Sequence, residues 1–142
     1  MDAGSLSLFC RLISMGAYSL LQYVSESFPW SASASAGALT KVREIAAEER
    51  VEVARFTRIL QKRHISLPIQ GAYPSHYTTM NFVALDYLLP KLIGEHEKEI
   101  AEIESKLPTV GDEEIRVLAQ AYLDMKRRHL QILIDLKMPA SN

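Results

Sequence analysis

The chain has 142 residues, 48% of them hydrophobic and 23% charged, which suits one soluble globular domain spanning 1–142 with a core of its own. Lys plus Arg number 16 and Asp plus Glu 17, a formal charge of −1, so no broad attraction to phosphate backbones or anionic surfaces is expected, and neither nucleic acid nor membrane is an expected partner. A single cysteine, Cys10, excludes an internal disulfide and the multi-cysteine zinc patterns; with no secretory signal and no unbroken run of 18 apolar residues, a reducing cytoplasm is the expected setting.

Residues 5–27, SLSLFCRLISMGAYSLLQYVSES, carry Phe9, Leu12, Ile13, Gly16, Ala17, Leu20, Tyr23 and Val24 at helical spacing, with charge only at Arg11 and Glu26. So apolar a helix needs cover on more than one side, which points to a homodimer or a protein partner, with Tyr18, Leu21 and Trp30 as candidate contact residues. Cys10, set among Leu8, Phe9, Leu12 and Ile13, reads as a buried thiol. Phe28-Pro29-Trp30 ends the helix, and Ser31, Ser33 or Ser35 caps the next, which runs to about Ile65. The segment Ile65–Tyr77, with two prolines and a glycine, is longer than neighbouring antiparallel helices need. Extended at roughly 3.3 Å per residue it covers about 40 Å, the height of a bundle, so it reads as a lengthwise crossover. Thr78–Leu107 is the third helical segment, either kinked at Pro90 or split into two helices there. Asp112 is placed to cap a last helix that runs to about Lys137. These are the elements of an all-α four-helix bundle.

Ionisable residues interrupt three of the apolar seams. In VREIAAEERVEVARFTRIL the stripe Val42, Ile45, Ala46, Val53, Phe56, Ile59 and Leu60 lands in its middle on Glu49, with Glu52 one turn on. His96 interrupts the third seam, and His129 the fourth. Either the stripe is tilted and Glu49 reaches solvent at its edge, or the carboxylate is buried and must meet a cation, a metal or several hydrogen bonds.

Helix lengths, the central crossover, the segment EERVEVA and the stretch NFVALDYLLPKLI together resemble the ferritin-like superfamily, over about Leu6 to Leu136. That resemblance implies a di-metal centre, with one carboxylate from each of two helices and a Glu-x-x-His pair from each of the other two. Matched position by position, Glu49 stands at a bridging carboxylate and Glu52 replaces the histidine three residues on. Glu95 takes the single-carboxylate position beside His96, and His129 matches a histidine while Lys126 replaces its glutamate. Gly16 falls where the first helix would supply an acid, and Tyr23 resembles the tyrosine found near such centres. The implied metal set is therefore Glu49, Glu52, Glu95 and His129, with His96 as an extra ligand and Lys126 as a cation in place of metal. The alternative for Lys126 is to snorkel to water along the bundle.

Two functions follow from this pattern. The first is a non-catalytic interaction or assembly protein with a degenerate di-iron site and no cofactor. The alternative is an iron- or manganese-binding oxidoreductase or storage protein with a reduced ligand set. A third class, phosphotransfer through an exposed His64 or His96, has no motif behind it. No Ser/His/Asp set and no Gly-rich phosphate loop is present.

Overall fold

A computed structural model describes residues 1–26, 36–66, 72–80 and 84–137. Of these, 87% are helical, and no strand occurs among them. The helices are α1 (Ala3–Ala17), α2 (Leu20–Glu26), α3 (Ala36–Lys62), α4 (Leu85–Lys106) and α5 (Glu113–Lys137). The expected first helix is thus two helices, α1 and α2, broken at Tyr18 and Ser19. The backbone of Tyr18 leaves helical geometry at φ −121°, ψ 30°, and the Ser19 hydroxyl accepts the Gln22 N–H at 3.1 Å, capping α2. The candidate caps Ser31, Ser33 and Ser35, and Trp30, lie outside the described residues.

The third helix begins at Leu85 rather than Thr78, because Ser75–Met80 winds as a 3-10 turn. Pro90 sits inside α4, which is one continuous helix, so it stands in the opening turns where the missing N–H leaves only the Asp86 carbonyl without its usual donor. His64 ends α3 in the left-handed region at φ 56°. There the His64 N–H bonds to the Gln61 carbonyl and the Ile65 N–H to the Leu60 carbonyl, a Schellman closure without the usual glycine.

One end of the bundle is stitched by polar contacts. Asp2 caps α1 through the Ser5 N–H at 2.9 Å, and the Ser5 hydroxyl accepts the N–H groups of Gly111 and Asp112. Asp112 caps α5 through the Ile115 N–H and also takes Arg63, from the tail of α3, at 2.7 Å. At the opposite end Leu85, at the head of α4, packs in one cluster with Val42 from the head of α3. Hence α3 and α4 run in one direction, and α1 and α5 in the other.

By length and composition alone, Ala3–Glu26 could cross a membrane, since an 18-residue window in it has a mean hydropathy of 1.3. In the fold 56% of that window is buried, its core residues packed on the neighbouring helices. Leu21, expected on an exposed apolar face, is 1% exposed and belongs to the core. Tyr18 is half-buried, edge-on to Tyr73 at 5.7 Å between ring centres. Cys10 is half-buried rather than buried.

The apolar interior forms two clusters. One holds Leu12, Met15, Phe56, Ile100, Tyr122 and Met125, the other Leu20, Val24, Ile45, Ala46, Leu92 and Leu133. Between α1 and α2, and along α3, α4 and α5, the switch from one cluster to the other falls at a polar residue: Ser19, Glu49, His96 with Glu99, and Lys126 with His129. These residues form a buried polar layer across the bundle.

Candidate functional site: a buried ion layer

Helices α2, α3 and α5 meet at Glu49, which is fully buried on α3. Its Oε1 accepts from the Ser19 hydroxyl at 2.6 Å and from the Gln22 side-chain amide at 3.0 Å. Its Oε2 accepts from the Tyr122 hydroxyl at 3.2 Å and from the ammonium of Lys126. The break between α1 and α2 thereby acquires a cause outside its own segment. A continuous helix would spend the Ser19 hydroxyl on its own turn, whereas the break lets one oxygen cap α2 and serve the buried carboxylate. Gln22 is oriented in turn by the Ala46 carbonyl, to which it donates at 2.7 Å, and by Arg50, from which it accepts at 2.7 Å.

Lys126 is also fully buried, and its ammonium lies 3.0 Å from Glu99 Oε2 and 5.6 Å from the centre of the Tyr122 ring. Burial presses the ammonium toward its neutral form, but Glu49 and Glu99 outweigh this and hold it charged, above its ordinary range. Glu99, 8% exposed, is raised to about 7, chiefly by burial and against the pull of Lys126. The Tyr122 hydroxyl is pushed well above its ordinary range by burial and by the charges of Glu49 and Glu99, so it remains a donor.

Two imidazoles flank the ions, with ring centres 6.4 Å apart. His129 Nε2 lies 3.1 Å from Glu48 Oε2, and His96 Nδ1 lies 3.0 Å from the Leu92 carbonyl. Both partners can only accept, so those nitrogens carry the protons. Burial, with the charge of Lys126 nearby, lowers both histidines, His96 most strongly, and keeps them neutral. His96 Nε2 and His129 Nδ1 are therefore buried lone pairs, with no partner among the described residues.

The residues read from the sequence as a metal set do not converge. Glu49 and His129 lie in the layer, but Glu52 is paired with Arg55 at 3.3 Å and Glu95 with Lys98 at 3.5 Å on the flanks of their helices. His96 is 1% exposed, which removes it as an exposed phosphotransfer histidine. Tyr23 packs with Tyr73 and Tyr77, and the hydroxyl that reaches the layer is that of Tyr122. Among the described residues no three His, Cys, Asp or Glu side chains gather as a metal-holding group. A di-metal centre does not fit this donor set: both oxygens of Glu49 are filled by protein donors, and an ammonium occupies the space between the acids. Sequence reasoning missed Ser19, Gln22, Glu48 and Glu99; the one available signal was that Glu99 follows His96 by three residues, on the same helix face.

Gly16 shows why the first helix supplies no acid. A β-carbon there would lie 2.4 Å from Val53 Cγ2 and 3.1 Å from Tyr122 Oη. Gly16→Ala should therefore destabilise the fold by about 1–2 kcal/mol, overpacking outweighing the gain in helix propensity. Gly16→Ala combined with Val53→Ala should recover most of the loss in urea denaturation, because the obstructing methyl is gone.

No protein-family model, curated protein or solved structure matches the chain. The site accordingly defines a class by its own geometry: a helical bundle whose core is crossed by a lysine–carboxylate ion layer.

Proposed function

We propose that this chain is a ferritin-like four-helix bundle, with residues 65–77 crossing lengthwise between α3 and α4, that works as a non-catalytic interaction or assembly protein. The parallel run of α3 and α4 supports the topology, since Arg63, just past α3, lies beside Asp112 at one end of the bundle and Leu85, at the head of α4, lies at the other; residues 67–71 of the expected crossover lie outside the described residues. The observation that carries the functional reading is the buried Lys126 ammonium on Glu49 and Glu99. It compensates the acids as a metal would and repels a cation entering the same space. A homodimer is the first assembly to look for; the first helix packs its apolar residues inside the chain, and the large apolar side chains exposed among the described residues are Met1, Val51, Tyr87 and Val117.

A second reading, iron or manganese binding with a reduced ligand set, rests on one observation. His96 Nε2 and His129 Nδ1 are buried with no hydrogen-bond partner among the described residues, while the other nitrogen of each ring is held by a carbonyl or a carboxylate. Metal-ligating histidines are oriented in this way.

Elemental analysis of protein purified without chelator separates the two. The interaction reading expects no stoichiometric metal, and sedimentation equilibrium at tens of micromolar should show a dimer. Metal at about one ion per chain, lost in His96→Ala or His129→Ala, would replace it with the metalloprotein reading. Lys126→Glu should then either lower stability through carboxylate repulsion or create a site that takes up iron or manganese.

A further inference from the structure

The buried layer carries unspent hydrogen-bonding capacity of both signs. His96 Nε2 and His129 Nδ1 are buried acceptors with no partner among the described residues. The Lys126 ammonium has three N–H groups and two carboxylate neighbours, Glu49 and Glu99. Buried polar groups that the protein leaves unpaired are commonly satisfied by ordered water.

The two helices place these groups side by side. His96 and Glu99 stand three residues apart on one face of α4, as Lys126 and His129 do on α5. The helices run in opposite directions, and Glu99 meets Lys126 at 3.0 Å. One turn along, His96 and His129 therefore form the next rung between α4 and α5, with ring centres 6.4 Å apart. The His96 Nδ1–H goes to the Leu92 carbonyl of its own helix, which turns Nε2, on the far edge of the ring, away from the α4 backbone. The His129 Nε2–H goes to Glu48 on α3, which leaves Nδ1 on the ring edge away from α3.

The separation of the rings bears on what fits between them. A water donating to both nitrogens at about 2.8 Å lies about 4 Å from each ring centre, and its near-tetrahedral angle sets the centres about 6.5 Å apart. One tetrahedral metal ion about 2.1 Å from each nitrogen would draw the centres to about 5.3 Å. An ion with the nitrogens on opposite sides would span the observed gap, but it would bring its charge beside the Lys126 ammonium. Both imidazoles, lowered first by burial, already feel that ammonium. Water has the opposite response: its hydrogens suit the two lone pairs and its oxygen suits the cation.

We infer that the His96–His129 rung holds one buried water, which donates to His96 Nε2 and His129 Nδ1 and turns its oxygen toward Lys126. The inference rests on the metal-free reading of the layer and names the ligand that its two imidazoles take. Through this water α4 is joined to α5 a second time, beside the ion pair, and the polar layer continues from Glu99 to Glu48.

The test uses the full chain purified without chelator, with its metal content measured on the same sample. A crystal structure that shows ordered solvent should place one water within hydrogen-bond distance of both nitrogens. Nitrogen-15 shifts should show His96 protonated at Nδ1 and His129 at Nε2. Oxygen-17 relaxation dispersion, which counts long-held waters, should fall by one per chain in the double variant His96→Leu with His129→Leu. Glu48→Gln, which keeps an acceptor for His129 Nε2–H, should leave the count unchanged. If the double variant does not fold, the wild-type structure and tautomers decide. The proposal is overturned by the other tautomer at either ring, by an unchanged water count in a folded double variant, by loss of the water in Glu48→Gln, or by a metal-free structure without that water. Stoichiometric metal between the rings would overturn the metal-free reading itself, and the water with it.

Discussion

Lys126→Met should lower the stability of the fold by about 3–5 kcal/mol, the range for removing one partner of a buried ion pair. The reason is asymmetric. Met fills nearly the same volume, so little packing is lost, but the fully buried Glu49 loses its cationic partner and retains only the neutral donors Ser19, Gln22 and Tyr122. Urea denaturation at pH 7 measures the loss. The control is Glu49→Gln with Lys126→Met, which removes both charges and should restore most of the stability, since replacing a whole buried pair is far cheaper than breaking it. A single-variant loss below about 1 kcal/mol would mean that water reaches the pair, contrary to the geometry.

The second large effect is a pH dependence. Burial raises the Glu99 carboxyl to about 7, well above its ordinary range. Between pH 5 and 7 the folded chain therefore holds a proton that the unfolded chain has released, so Glu99 makes stability fall as pH rises through that window and level off above it. His96 and His129 act in the opposite sense. Both are lowered, first by burial, so their contribution is present above the ordinary histidine range and is lost on acidification. The two linkages partly cancel in the wild type, which should vary little across neutral pH. Glu99→Gln separates them. Relative to wild type it should be close to neutral at pH 5 and more stable by about 2–3 kcal/mol at pH 8. Its own profile should show a steeper loss on acidification. A constant difference between the two proteins at all pH values would assign Glu99 an ordinary carboxyl.

How much of this was open to the sequence depends on which contacts act locally. The helices are legible because their apolar residues repeat along one face, and Asp112 is legible as a cap because its work is done within one turn. The buried layer is partly legible, since Glu49, His96, Lys126 and His129 interrupt seams that are otherwise apolar. Glu95 against Glu99 is a different matter. Both lie near His96 on α4, and choosing between them requires the rotation of that helix about its axis, which α5 sets through Lys126. The break at Ser19 is hidden for the same reason. Its helical period continues through Leu20 and Val24, and what ends the helix is a carboxylate thirty residues away. The onset of α4 at Leu85 was displaced because Thr78–Met80 coil too tightly for an α-turn, a choice that the apolar spacing does not record.

The position of the ion layer between two oily compartments also bears on alignment. Leucine-rich seams are forgiving: a helix sliding by one turn, about 5.4 Å, still presents apolar side chains to apolar side chains. Here such a slide of α3 would carry Glu49 from Lys126 into the company of either Leu92 and Leu133 or Ile100 and Met15, and would leave the ammonium facing hydrocarbon. Helices α2, α3, α4 and α5 all contribute to the same level, so each is indexed against the other three. The layer works as a registration mark: apolar collapse draws the helices together, and a handful of charges determines where along their lengths they stop.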